Sequence, residues 1–275
     1  MPNTRFAPSP TGYLHLGHAY AALYAHKKAN GGRFVLRIED IDGSRCRPEF
    51  VAALTEDLAW LGLAWEVPVR VQSEHFSDYR KALALLENMG LLYPCFCTRA
   101  EIQREVSNAM NAQHSPDGVL YPGTCRLISQ SECADKIASG APYSLRLDMA
   151  KAMERVGAVS WTEETRGRQL ARPADFGDVV VARKDTPASY HLCVTIDDAL
   201  QEIDLVTRGE DLFRATDVHR LIQTLLDLPE PTYSHHRLLL DESGNKFSKR
   251  DHAESLRTMR EMGETALSVR RRLGF

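Results

Sequence analysis

Arg5-Phe6-Ala7-Pro8-Ser9-Pro10-Thr11-Gly12-Tyr13-Leu14-His15-Leu16-Gly17-His18 decides how the rest of this chain is read. Arg5 to Ala7 has the composition of a short strand, the prolines cannot continue a hydrogen-bonded ladder, and Thr11-Gly12 supplies a turn. A helix is expected to open near His15. Three residues apart, His15 and His18 then share one face, and Gly17 beside them removes a side chain that would keep a ligand from the backbone. The first turn of a helix carries unpaired N–H groups and partial positive charge, worth roughly 0.3–2 kcal/mol to a phosphate. Neutral imidazoles donate to the same oxygens, and protonated ones add charge. The stretch predicts a nucleotide seat; the plainer alternative is a helix start with incidental polar residues.

Working outward, the helix runs through Ala19, Ala22 and Leu23 toward Lys28, and Asn30-Gly31-Gly32 stops it. Phe34-Val35-Leu36-Arg37-Ile38 reads as a buried strand. Strand, helix and strand within about forty residues make a right-handed βαβ unit and a parallel sheet. Both the helix start and Glu39-Asp40-Ile41-Asp42 then lie at the carboxyl ends of strands, where open α/β sheets bind ligands. Val51, Leu54, Leu58 and Leu61 give a helix ended by Gly62; Tyr79, Ala82, Leu83 and Leu86 give another ended by Gly90. Leu91-Leu92-Tyr93 is expected as the third strand of the sheet.

From Pro94 to Ala188 the character changes. This segment holds most of the cysteines, a Thr98/Glu101 capping box, a polar loop from Ser107 to Gly118 to which no function is assigned, and an alternating run at Tyr143–Leu147. It reads as an insertion between two halves of a nucleotide fold. The fold resumes with a strand at Leu205–Arg208, a helix through Val218, Leu221, Ile222 and Leu225, and a last strand at Arg237–Leu240. The division expected is 1–93, an inserted 94–188, a second half 189–250 and a short helical tail 251–275.

The chain has 275 residues, enough for one large domain or two ordinary ones, and a formal charge of −3, so no global basic field marks it as a nucleic-acid binder. RNA contacts would rest on local patches such as Arg99–Arg104 or Arg270-Arg271-Arg272. No apolar run reaches the roughly 18–20 residues that span a bilayer, and no signal-like start is present, so a soluble, cytoplasmic protein is expected. Of six cysteines, Cys46 and Cys193 stand alone, whereas Cys95, Cys97, Cys125 and Cys133 fall in one segment. In a reducing compartment such clustering points to a metal more than a disulfide. Cys95, Cys97 and Cys125 supply three thiolates. For a fourth zinc ligand the sequence offers Tyr121, His114 or Cys133, and ordinary ligand chemistry favours Cys133 or His114; buried reduced cysteines are the alternative.

Near the other end, the turn residues Asp241-Glu242-Ser243-Gly244-Asn245 precede Lys246-Phe247-Ser248-Lys249-Arg250. Two lysines three apart can bring ammonium groups to a polyphosphate and stabilise charge that grows on leaving pyrophosphate.

Together, His15-Leu16-Gly17-His18 and Lys246-Phe247-Ser248-Lys249-Arg250 resemble, in order and position, the two signatures of class I aminoacyl-tRNA synthetases. The segments Arg5–Gly12 and Leu36–Asp42, Tyr190-His191-Leu192 with Asp197-Asp198, and Arg208-Gly209-Glu210-Asp211 resemble the glutamyl branch. The likeness covers nearly the whole chain and departs at its end. Only residues 251–275 follow the lysine loop, where a discriminating glutamyl-tRNA synthetase carries a helical anticodon-binding region. A compact core with Cys-x-Cys followed by Tyr-x-x-x-Cys resembles the stand-alone glutamyl-queuosine tRNA(Asp) synthetase family.

That resemblance implies a Rossmann-like parallel sheet with an inserted α+β zinc-bearing subdomain and no anticodon-binding domain. It implies tRNA-independent activation of L-glutamate by ATP, then esterification of queuosine at the wobble position of tRNA(Asp), in a monomer. His15, Gly17, His18 and Lys249 would hold ATP, with Lys246 assisting in catalysis. Arg5, Phe6, Ala7, Pro8, Ser9, Glu39, Tyr190 and Arg208 would form the glutamate site. Arg5 and Arg208 are the candidate cations for the side-chain carboxylate, and Glu39 suits the ammonium group, with Mg2+ ligation as its rival role. Mg2+ accompanies ATP, chiefly on its phosphates. Tyr121 becomes the fourth ligand of one structural Zn2+ beside Cys95, Cys97 and Cys125. Three rival readings are a truncated or divergent glutamyl-tRNA synthetase charging a tRNA 3′ end, a non-catalytic RNA-binding paralogue, and a small-molecule nucleotidyltransferase with a similar histidine motif, which explains the lysine loop and the paired arginines less well.

Overall fold

The opening strand, turn and helix form as the sequence predicts. In the computed structural model, which describes residues 1–108, 114–239 and 254–275, β1 (Thr4–Phe6) leads through the proline-rich turn into α1 (Leu16–Ala29). Strand β2 (Phe34–Ile38) returns parallel to β1, with Arg5 opposite Val35. Asn30 closes α1 in the left-handed region at φ 46°, a conformation asparagine tolerates better than most side chains.

Helix α2 (Pro48–Trp60) follows, and β3 (Glu66–Val71) pairs parallel with β2 to give the order β1-β2-β3. The third strand of this sheet is thus β3, not Leu91–Tyr93. Glu66-Val67-Pro68-Val69-Arg70-Val71 is a poor strand on composition, but its first three residues are exposed at a sheet edge, where a proline leaves no ladder N–H missing. After α3 (Phe76–Asn88), Leu92–Cys95 forms β4 of a different sheet.

The cysteine-bearing segment contains α4 (Arg99–Asn108), the small hairpin β5 (His114–Ser115) and β6 (Gly118–Val119), α5 (Gln130–Ala138), β7 (Ser144–Leu147) and α6 (Met149–Val156). The predicted capping box is present before α4: Thr98 N donates to Glu101 Oε2 at 2.7 Å, and Glu101 N to Thr98 Oγ1 at 3.2 Å. Next come β8 (Ser160–Glu163), β9 (Gly167–Leu170) and β10 (Val180–Ala182); β7 lies between β4 and β10, antiparallel to both.

Helix α7 (Tyr190–Leu200), β11 (Leu205–Gly209), α8 (Ala215–Leu225) and β12 (Thr232–His236) resume the parallel α/β pattern. The second sheet runs β11-β12-β8-β9, with β12 parallel to both β11 and β8. Residues 160–170, expected within the insertion, therefore extend the sheet of the second half. The two halves meet where Leu205 N donates to Asn3 O at 3.2 Å and Arg5 Nη1 to Thr207 O at 2.7 Å.

The last strand also lies earlier than expected, at Thr232–His236 rather than Arg237–Leu240. Its polar residues are buried because partners exist across the fold: Ser234 with Tyr24 and Glu164, His235 with Glu163. Leu238 and Leu239 line a cleft instead, and Leu240 lies outside the described residues. Helices α9 (Leu256–Glu261) and α10 (Ala266–Leu273) pack on the first half, burying Leu256, Met259, Val269 and Leu273 with Leu54 and Leu58. No helix of the described residues is long and apolar enough to cross a membrane.

Candidate active site

At the carboxyl end of β1 the two histidines organise the start of α1 themselves. His15 is the N-cap; its Nδ1 accepts from Gly17 N at 3.1 Å, while His18 Nδ1 accepts from His15 N at 3.2 Å. The rings lie 3.8 Å apart between centroids. This is a capping box made of imidazoles. The expected cradle of unpaired first-turn N–H groups is accordingly reduced, because Gly17 N and His18 N are bonded within the turn. In exchange, acceptance at Nδ1 places the proton of each neutral ring on Nε2.

A cleft of about 540 Å³ brings His15, Gly17 and His18 together with Arg5, Phe6, Ala7, Pro8, Ser9, Glu39, Tyr190 and Arg208. Residues as far apart in sequence as Arg5 and Leu239 share this one space because β1, β2, β11 and the start of α7 end on it. A second cleft of about 930 Å³ shares Ser9, Glu39 and Tyr190 and continues toward the cysteine-bearing segment.

Lys246 and Lys249 lie outside the described residues. On either side of residues 240–253 the chain is at the His15 turn: Leu238 and Leu239 line the cleft, Ser255 pairs with His15, and Leu256 N donates to Leu14 O at 2.8 Å.

The two arginines picked out by the sequence have opposite surroundings. Arg5 Nε donates to Asp198 Oδ1 at 2.9 Å, and Arg37, fully buried in β2, reaches Asp198 at 2.8 Å and Glu39 at 3.2 Å. Arg70 and Gln72 each approach Asp197 at 2.7 Å. Burial disfavours every charge here, but mutual attraction wins for the central ones: Asp198 is held below the ordinary carboxylate range by Arg5 and Arg37, and Arg37 is pushed up by Asp198, Glu39 and Asp197. Glu39 is pushed up by burial, with Arg37 and Arg5 opposing. Both contacts of Glu39 with Arg37 use Oε1, so among the described residues Oε2 has no hydrogen-bond partner.

Arg208, by contrast, is buried with no ion pair among the described residues. Its Nε donates to His235 Nε2 at 3.2 Å, Nη1 contacts His219 Nδ1 at 3.0 Å, and Nη2 donates to Thr216 Oγ1. Burial, then Arg208 itself, drives His219 well below the ordinary imidazole value and His235 down to about 2. The guanidinium therefore faces neutral groups, and a buried cation in that position calls for an external anion. Tyr190, its phenol pushed up by burial, begins α7 beside it.

In the cysteine-bearing segment the sulfurs of Cys95, Cys97 and Cys125 lie within 4.8 Å of one another. Tyr121 Oη lies 3.4 Å from Cys95 Sγ and 3.9 Å from Cys97 Sγ, and accepts from Cys125 N at 2.8 Å. Phe96 N donates to Cys125 Sγ at 3.3 Å, as a backbone N–H does to a thiolate. Cys97 and Cys125 are free thiols with sulfurs 3.4 Å apart, well beyond disulfide length. Three soft donors with a phenol oxygen among them fit a tetrahedral zinc ion. Cys133, on α5, is not part of the cluster. The side chain of His114 is not among those described.

Sequence reasoning left Arg37, Asp198, His219, His235 and Thr216 without roles. One signal was available: arginine inside the apolar run Phe34–Ile38 must find a buried anion. The histidines gave none, since their partners come from other elements.

A family model described as tRNA synthetases class I (E and Q), catalytic domain, matches residues 2–274. The chain is 45% identical to a glutamyl-Q tRNA(Asp) synthetase of Rhodobacter capsulatus, covering 99% of both chains. It is 39% identical to a glutamate–tRNA ligase of Methylococcus capsulatus, covering 98% of this chain and 59% of that one. Among solved structures, a glutamate tRNA ligase from Elizabethkingia meningosepticum, in complex with its amino acid, matches with a TM-score of 0.73 at 27% identity. The match covers 96% of this chain, which spans about half of that ligase. On the family match from residue 2 to 274, and on the parallel α/β fold that carries the cleft, the chain belongs to the class I tRNA synthetases of the glutamate and glutamine group, enzymes that act as ligases.

Proposed function

We propose that the chain activates L-glutamate with ATP in the absence of tRNA and transfers it to the cyclopentene diol of queuosine in tRNA(Asp). The observation that carries the amino-acid assignment is Arg208: a buried guanidinium with neutral partners in the cleft that also holds His15 and His18. A glutamine amide would leave that charge unpaired, whereas a glutamate carboxylate answers it. Arg5, already paired with Asp198, shapes the site and carries less of the selection. Glu39 Oε2 suits the substrate ammonium group, Tyr190 forms a wall beside it, and Phe6, Ala7, Pro8 and Ser9 line the floor.

In this reading an oxygen of the glutamate α-carboxylate attacks the α-phosphorus of ATP, the bond to the bridging oxygen breaks, and pyrophosphate leaves. No protein nucleophile is needed; positioning and charge neutralisation supply the acceleration. His15 and His18 donate Nε2–H to phosphate oxygens, and Lys249, assisted by Lys246, meets the same phosphates. Mg2+ belongs with the ATP phosphates. Cys95, Cys97, Cys125 and Tyr121 would hold one zinc ion, which would cross-link β4 to the turn after β6 and has no part in the chemical step.

The acceptor assignment is supported by the 45% identity over the full length of a relative named for it. A diol on the queuosine ring resembles a terminal ribose diol, so the second cleft would receive an anticodon loop. The 39% identity to a glutamate–tRNA ligase supports the second reading, glutamylation of a tRNA 3′ end. Glutamate-dependent ATP–pyrophosphate exchange without tRNA, followed by mapping of labelled glutamate on queuosine-containing and queuosine-free tRNA(Asp), tests both. Exchange without tRNA and label confined to queuosine is expected. No exchange without tRNA, or label on the 3′ ribose, overturns the proposal.

A further inference from the structure

Arg208 is the end of two hydrogen-bonded chains whose direction is fixed by chemistry. Arginine has no acceptor and a carboxylate no proton to give, so the groups between them have only one consistent arrangement. In the longer chain, Arg208 Nη1 donates to His219 Nδ1 at 3.0 Å, which puts the His219 proton on Nε2. That Nε2 donates to His191 Nδ1 at 3.0 Å, and His191 Nε2 donates to Asp117 Oδ2 at 2.9 Å, in the turn of the β5–β6 hairpin. In the shorter chain, Arg208 Nε donates to His235 Nε2, whose Nδ1 donates to buried Glu163 at 2.7 Å. Three of the five guanidinium N–H groups are thus committed, one each to His219, His235 and Thr216.

Arg5 and Arg37, in the same region, touch carboxylates directly. At Arg208 one imidazole stands between the cation and Glu163, and two stand between it and Asp117. Direct carboxylate contact would fix the arginine equally well but would satisfy its charge internally. We infer that His219 and His235 are positioning residues that act as neutral spacers, locking the orientation of Arg208 while leaving its charge for the substrate's side-chain carboxylate, with Glu163 and Asp117 setting their tautomers. This rests on the reading of Arg208 as the side-chain anchor for glutamate. Burial of both rings against Arg208 keeps them uncharged, in agreement with their lowered pKa values.

The test compares H219N with H219D, which differ in charge and hardly in shape. In glutamate-dependent ATP–pyrophosphate exchange, H219N is expected to raise the glutamate KM about tenfold or less. H219D is expected to raise it a hundredfold or more and to erode the preference for glutamate over glutamine, with the ATP KM within twofold in both. Equal effects of the two substitutions would overturn the spacer role, because a packing role is indifferent to the charge. A second measurement needs no variant: nitrogen NMR of histidine-labelled wild-type protein at pH 7.5. Neutral His219 with its proton on Nε2 and neutral His235 with its proton on Nδ1 support the proposal. An imidazolium at either position, or the opposite tautomer at His219, overturns it. Absence of glutamate-dependent exchange in the wild type would instead overturn the glutamate reading, and the NMR result would judge the spacer arrangement separately.

Discussion

Asp57 offers a stability test whose size and sign both follow from its surroundings. It lies on α2 beneath the C-terminal helices, fully buried, and among the described residues neither carboxylate oxygen has a hydrogen-bond partner, while Arg260 Nη1 is 3.8 Å away. Burial, opposed by Arg260, lifts its pKa from 3.8 to about 6. A shift of about 2 units corresponds to about 3 kcal/mol at 1.36 kcal/mol per unit, and an asparagine that keeps unsatisfied polar atoms recovers about 1–2 kcal/mol of it. Because the folded state holds this proton more tightly than the unfolded state, the aspartate favours folding less as pH rises from about 4 through 6. D57N should therefore be less stable than the wild type by about 1–2 kcal/mol near pH 3.5 and more stable by about 1–2 kcal/mol at pH 7.5, a swing of about 3 kcal/mol between the two. Urea unfolding at the two pH values measures the difference directly. Equal stability of the two proteins at pH 7.5, or a gain of the same size at pH 3.5, would refute the argument. The dock matters to the cleft because α9 is tied to the His15 turn through Leu256 N and Leu14 O.

R208Q should lower kcat/KM for glutamate by roughly a hundredfold or more, chiefly through KM, since it removes a desolvated charge that no other described residue replaces; exchange kinetics at varied glutamate measure it. C97S should reduce zinc from one equivalent to well below one by elemental analysis and lower Tm, while exchange activity of the folded protein stays within about threefold. K249A should slow adenylate formation on the order of a hundredfold, the usual cost of deleting one group that stabilises developing charge; single-turnover formation of glutamyl-adenylate reads it, and near-normal turnover would remove the lysine from the chemistry.

What could be read from the sequence was whatever depends on near neighbours in the chain. The strand–turn–helix at Arg5–His18, the βαβ unit, the Thr98/Glu101 box and the α8 stripe are each set by residues within a few positions, and the spacing of side chains on a helix or strand is fixed by backbone geometry. The same locality misled at both sheet ends. An apolar run at Leu238–Leu239 looked more like a buried strand than Thr232–His236, whose polar side chains are satisfied by Tyr24, Glu163 and Glu164 from other elements. For the metal cluster, the sequence supplied three sulfurs and three candidate partners; the approach of Tyr121 to Cys95 and Cys97, and the separation of Cys133 on α5, came from packing of β4 against the turn after β6. The electrostatic contrast between Arg5 and Arg208 was equally invisible in one dimension. A guanidinium's role depends on whether charged or neutral groups surround it, and those groups come from residues 117, 163, 198, 219 and 235, which only the folded chain brings together.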